Sequence, residues 1–167
     1  HLSGLGAVAA KDLPAGTTLV CERALAMVLD AQVAEIEEDD TDTNPNKVHY
    51  IPTDEVNADS ALLILRIASR ISEEPSFAAE LSMLFPRTED DLSKLKPWRC
   101  TPHLQSLVDA ALSTLDDSLA KRLPHIVRYN AVSCETGGEL YSHATSPEAL
   151  LSGIALFRDS SVFNHSQ

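Results

Sequence analysis

Apolar residues recur along this chain with two different periods, and the change of period divides it into parts. From Asp59, read as an N-cap, Ile64, Ile67, Ala68 and Ile71 repeat at three and four until Pro75 stops the run, which predicts an amphipathic helix. A second, short helix is expected over Phe77 to Leu84. After Pro102, residues Leu104, Leu107, Val108, Ala111, Leu112, Leu115 and Leu119 keep one apolar face. They predict the longest helix, about five turns at roughly 3.6 residues per turn, ending before Pro124. Such a stripe is in the first place a packing element without chemistry.

On either side of that block the pattern is extended. Gly4-Leu5-Gly6-Ala7-Val8-Ala9 leads into a turn at Asp12-Leu13-Pro14-Ala15-Gly16 and then into Thr17 to Cys21, rich in β-branched residues, which predicts a hairpin. Ile126-Val127-Arg128-Tyr129-Asn130-Ala131-Val132 reads as a strand, Gly137-Gly138 as a turn, and Gly153-Ile154-Ala155-Leu156-Phe157 as another short strand. Strands from both ends with helices between them imply a sheet closed by long-range pairing, hence an α+β fold or a mostly β fold with a helical insert. The expected divisions are strands in 1–30, an acidic loop and linker in 31–56, a helical insertion in 57–124 and strands again in 125–167. In the second division Glu35, Glu37, Glu38, Asp39, Asp40 and Asp42 stand without a basic residue. Charges this dense resist burial, and a mobile loop is expected.

A chain of 167 residues suits one domain, and a hydrophobic share of 44% can fill its core. The balance of 13 basic against 25 acidic residues, a net charge of −12, changes the picture of partners. Like-charge repulsion disfavours nucleic acid and anionic lipid, and a basic partner is favoured. The sequence has no apolar run of bilayer-spanning length and no signal-peptide order at its start. Cys21, Cys100 and Cys134 are odd in number and widely separated, which fits neither a disulfide framework nor a CxxC zinc site and points to a reducing compartment, nuclear or cytoplasmic.

Common catalytic signatures are missing. Gly4-Leu5-Gly6 lacks the third glycine and following helix of a dinucleotide fingerprint, and no phosphate loop, HExxH helix or Gly-x-Ser-x-Gly elbow is present. His1, His49, His103, His125, His143 and His165 show no metal-ligand spacing; only His165 is set apart by its neighbours.

Three separated segments carry a resemblance. Ser3-Gly4-Leu5-Gly6-Ala7-Val8-Ala9-Ala10-Lys11-Asp12-Leu13-Pro14-Ala15-Gly16-Thr17, then Tyr129-Asn130-Ala131-Val132, then Gly153-Ile154-Ala155-Leu156-Phe157 with Ser161-Val162-Phe163-Asn164-His165-Ser166, stand in the order and spacing of SET-domain protein-lysine methyltransferases. The helical block resembles the SET-and-MYND branch, and the Rubisco-methyltransferase branch also carries helical insertions. The chain departs from the family in three places. No Cys/His cluster encodes a MYND finger, Gln167 stands where a zinc-binding cysteine is frequent, and the family's catalytic tyrosine lies after the Asn-His-Ser stretch. Tyr129 and Tyr141 precede that stretch and cannot inherit the role. No metal is therefore expected, the catalytic residue is unassigned, and the chain is read as the larger N-terminal part of a SET protein.

The resemblance implies binding of S-adenosyl-L-methionine (S-adenosylmethionine) and methyl transfer to a lysine amine, a direct displacement that requires a neutral, aligned amine. Gly4, Leu5 and Gly6 would let the backbone approach the methionine end, Asn130 would face the methionine moiety or the transfer site, and Asn164 and His165 would carry the adenine and ribose side. Ser161 would add a minor polar contact. The implied partner is a histone or other basic protein presenting a lysine to a monomeric enzyme, with no nucleic acid and no membrane. The competing reading is an inactive SET-like scaffold that binds basic partners.

Overall fold

The computed structural model describes residues 10–29, 55–136 and 151–162. The predicted acidic run Glu35 to Asp42, the Gly4-Leu5-Gly6 segment, the Gly137-Gly138 turn and the Asn164-His165-Ser166 stretch lie outside the described residues.

Helix α1 spans Ala58–Glu73 and buries Ala61, Leu63, Ile64, Ile67, Ala68 and Ile71, the stripe the spacing predicts. Its N-cap is Asn57 rather than Asp59: the Asn57 side chain accepts from Ser60 N at 3.0 Å. Asp59 falls in the first turn, where its negative charge faces the positive end of the helix dipole. A 3₁₀ turn at Pro75–Phe77 runs into the short helix α2, Ala78–Leu81, and α3 covers Glu89–Ser93. Thr88 and Asp91 close the N-terminus of α3 as a reciprocal capping box.

The long helix expected after Pro102 is two helices. α4 spans Pro102–Leu112; the chain then turns, Asp116 accepts from Leu119 N at 3.0 Å as a new N-cap, and α5 spans Asp117–Asn130. Pro124 lies inside α5 instead of beyond its end. Proline lacks an N–H and costs one helical hydrogen bond there. The helix nevertheless continues, because Leu119, Leu123, Ile126 and Val127 form one buried stripe across it. The strand expected from Ile126 therefore starts at Ala131, as β4, Ala131–Thr136, and the helical division reaches Asn130 rather than 124.

Three described strands form an antiparallel sheet in the order β1-β5-β4, where β1 is Ala26–Leu29 and β5 is Leu151–Leu156. The strand expected over Gly153 to Phe157 is thus found. Thr17 to Cys21 carry no strand, and the N-terminal strand pairs with β5 across the chain instead of folding into a local hairpin. The turn before them does form: Thr17 N donates to Pro14 O at 3.2 Å, and Gly16 takes φ +83°, a value that favours glycine. A second ladder, parallel, joins β2, Glu55–Val56, to β3, Arg99–Cys100, so the end of the expected linker is ordered.

The core lies between sheet and helices. α1 packs on α4 and α5 and against β1 and β5, with Leu63, Ile64, Ile67, Leu123, Ile126 and Leu156 fully buried. Two arginines of α1 tie the helix to β1 and the residue before it: Arg66 donates to Met27 O, and Arg70 to Leu25 O at 2.7 Å. The Arg70 guanidinium also lies 3.8 Å over the Phe77 ring. The molecule is α+β.

Candidate functional site

The sheet register gathers three distant pieces of chain at one end. Leu156 pairs with Ala26 on one side and with Ala131 on the other. Asn130, the segment from Phe157 onward, and the residues that precede Ala26 therefore all meet the sheet at the same end.

Asn130 is the last residue of α5, placed there by the helix that replaces the expected strand. Its side chain is buried, and Nδ2 donates to Phe85 O at 2.6 Å and to Ile126 O at 2.8 Å. Both partners are carbonyls, so the amide can only point its nitrogen toward them, and both N–H groups are used. Oδ1 remains as the one acceptor this side chain can offer a ligand. Phe85 and Pro86, joined by a cis peptide bond, are held to α5 a second time by Arg122 Nε, which donates to Pro86 O at 2.9 Å. The Phe85 ring meets Tyr129 edge to face at 5.5 Å.

Beyond β5 the chain makes a 3₁₀ turn, Ser160–Val162. Ser161 Oγ donates back to Phe157 O and Arg158 O, so its hydroxyl proton serves the turn, and a contact with a ligand falls to its lone pairs or backbone. Arg158 Nη1 lies 3.0 Å from Glu80 Oε2 and Arg158 Nε 2.9 Å from Asp159 Oδ1. The turn is gripped from the N-terminal segment by Glu22, whose carboxylate accepts from the backbone N–H of Asp159 at 2.9 Å and of Ser160. Burial pulls the Glu22 carboxyl upward, but the Ser160 hydroxyl and these two N–H groups outweigh it and leave it below its ordinary value.

One turn before Tyr129, His125 is 4% exposed and its Nδ1 finds no partner; Arg122 Nη2 and Arg128 Nη1 are likewise buried and unpaired. Burial, with the Arg128 charge second, pushes the imidazole below its ordinary value.

Of the site residues expected from sequence, Asn130 and Ser161 come to the same end of the sheet, whereas Gly4, Leu5, Gly6, Asn164 and His165 lie outside the described residues. Glu22, Phe85 and Arg158 were not foreseen. Phe85 offers its backbone carbonyl and Glu22 meets the backbone N–H groups of Asp159 and Ser160, contacts that leave no signature in side-chain spacing. Among the described residues no three His, Cys, Asp or Glu side chains come together as a metal site, and no helix is long and apolar enough to cross a membrane. No family model, curated protein or solved structure matches the chain.

Proposed function

We propose that this chain belongs to a SET-type, S-adenosylmethionine-dependent protein-lysine N-methyltransferase. The observation that supports it is the pairing of two of the three segments on which the sequence resemblance rests: Ala131-Val132, directly after Asn130, lies beside Ala155-Leu156 of the strand leading toward Asn164-His165, and the two are far apart in the chain. The first segment, Ser3 to Thr17, precedes β1 in the chain, and β1 pairs with the same strand on its other side, Ala26 opposite Leu156.

The residues present suit the cofactor. A methionine-type ammonium needs acceptors, and Asn130 offers Oδ1 from a buried amide whose nitrogen is already fixed. When bound, the cofactor supplies an electrophilic methyl group. The chain's part is to hold: Asn130 orients by hydrogen bonding, and the exposed Phe85 and Tyr129 rings, in edge-to-face contact, stand beside it. The net charge of −12 draws basic protein segments toward the surface.

Calorimetric titration of the chain with S-adenosylhomocysteine, with the Asn130 side-chain amide followed by NMR, tests this reading. Saturable heat with a shift of that amide signal is expected. An intact fold that gives no heat at millimolar ligand overturns it.

A further inference from the structure

We infer that Arg122, His125 and Arg128 of α5 form a binding site for a phosphate group, free or carried on a small molecule. The site goes beyond the methyltransferase reading and does not rest on it.

The argument starts from where the unpaired donors fall. Among the described residues, the buried side-chain nitrogen or oxygen atoms without a hydrogen-bond partner are Arg122 Nη2, His125 Nδ1 and Arg128 Nη1. All belong to one helix, and successive members stand one helical step apart, about 4.5 Å of rise for three residues. Side chains at that spacing are neighbours, so His125 stands between the two arginines. The Arg128 charge acts on His125, as that placement requires, and the imidazole is 4% exposed. Buried polar groups as a rule find a partner, and a guanidinium cannot shed its charge to escape the need for one. The chain holds 25 acidic against 13 basic residues, yet among the described residues no carboxylate is paired with Arg122 or Arg128. The acceptor that fits this row is therefore an anionic ligand.

The donor set selects its chemistry. A carboxylate is met best by two N–H groups of one guanidinium fork. Here the donors sit on three separate side chains, and Arg122 has already given Nε to Pro86 O at 2.9 Å. Three single donors, with His125 in the tautomer that carries its proton on Nδ1, match the three free oxygens of a phosphate group. The net charge of −12 repels a nucleic-acid backbone, which leaves a small phosphate compound as the ligand. The row also reaches the surface. Arg128 lies 5.4 Å over the exposed Tyr129 ring, which stacks on His125 at 6.4 Å and meets the exposed Phe85 ring edge to face. The body of a phosphate ester would find these two rings beside its anionic end.

The test titrates the full chain at pH 7 with sodium phosphate and with phenyl phosphate, against sodium chloride and sodium acetate of equal ionic strength. The His125 imidazole signals are followed by NMR, together with the melting temperature. Phosphate is expected to shift those signals saturably and to raise the melting temperature above its value in chloride. Arg128→Gln should weaken phosphate binding roughly tenfold, the scale of one charge-assisted hydrogen bond. Lys96→Gln, at an exposed lysine outside the row, should leave it unchanged. The wild-type signals are read directly, so the test survives a variant that fails to fold. His125 signals that move no more in phosphate than in chloride overturn the site. Equal phosphate affinity in wild type and Arg128→Gln, or an equal loss in Arg128→Gln and Lys96→Gln, also overturns it. Acetate that binds as tightly as phosphate overturns the choice of phosphate. Phenyl phosphate binding more tightly than inorganic phosphate assigns an ester whose body lies on the two rings, and equal affinity assigns free phosphate; either result upholds the site.

Discussion

Gly153 lies so close to Val28 that a β-carbon on it would stand 2.1 Å from the Val28 carbonyl oxygen and 2.9 Å from Leu29 Cα. The contact is backbone against backbone in the β1-β5 ladder, where Leu29 faces Gly153, so no side-chain rotation can relieve it. Gly153→Ala should therefore push β1 off β5. A loss of about 2 to 3 kcal/mol is expected, in the range of overpacking a closed site, measured as a lower urea midpoint. Ser76→Ala, at an exposed turn position, should leave the midpoint unchanged. An unshifted midpoint for Gly153→Ala would mean that the strands pair in another register.

Asn130 serves structure as well as the proposed site, since its amide nitrogen satisfies two carbonyls. Removing it in Asn130→Ala should cost about 1 to 3 kcal/mol through the unsatisfied partners. The isosteric Asn130→Asp should be worse at neutral pH, because an ionised carboxylate has no donor and would face two carbonyl oxygens. The difference between the two variants should narrow as pH falls and the new carboxyl gains a proton. Denaturation of both at pH 7 and pH 5 checks this; an aspartate variant as stable as wild type at pH 7 would contradict the bonding assigned to Asn130.

The cap of α1 offers a smaller, cleaner effect. Asn57 Oδ1 accepts from Ser60 N at 3.0 Å at the head of the helix that carries much of the core. Asn57→Ala should lower stability by about 1 kcal/mol and Asn57→Asp should not, since aspartate caps as well and adds favourable charge at the N-terminus. Thermal denaturation separates them. Equal losses in the two variants would assign the effect to something other than the cap.

How much of this was legible in the sequence depends on where the information sits. Helix α1 was, because Ile64, Ile67, Ala68 and Ile71 all face one core, and so was β5, bounded by its own short apolar run. The break between α4 and α5 was not. Leu112 and Leu115 keep the apolar period across a turn because Leu112 is buried and Leu115 packs against the same core. The opposite error occurred at Ile126-Val127, whose β-branching suggests a strand; burial of both in the stripe of α5 overrides local propensity, and Pro124 is tolerated for the same reason. At the site, Asn130 could be picked out, but its attachment to Phe85 O, and the grip of Glu22 on Asp159 and Ser160, join side chains to backbone across 45, 137 and 138 residues. Any residue type presents such a carbonyl or N–H, so no pattern marks these partners beforehand.

The last expectation concerns acid. His125 is buried on α5 with an unpartnered Nδ1, and the charged group acting on it is Arg128, one helical step away, with Arg122 one step on the other side. Protonating it would place a third positive charge along this row without an acceptor. Burial first, and Arg128 second, therefore depress its pKa below the ordinary 6.5. In the unfolded chain the imidazole binds its proton near the ordinary value, so as pH falls below that value the unfolded state takes up more protons than the folded one. Stability should fall with it, and the decline should end only below the folded-state pKa; above the ordinary value His125 contributes no pH dependence. His125→Gln removes the titration while keeping a polar side chain. Urea midpoints at pH 8, 7, 6.5 and 5.5, a range in which ordinary carboxylates stay ionised, should therefore drop less steeply below pH 6.5 in the variant than in the wild type. Parallel profiles would show that His125 takes up its proton as readily in the folded chain as in the unfolded one, and that its burial against Arg128 is not maintained in solution.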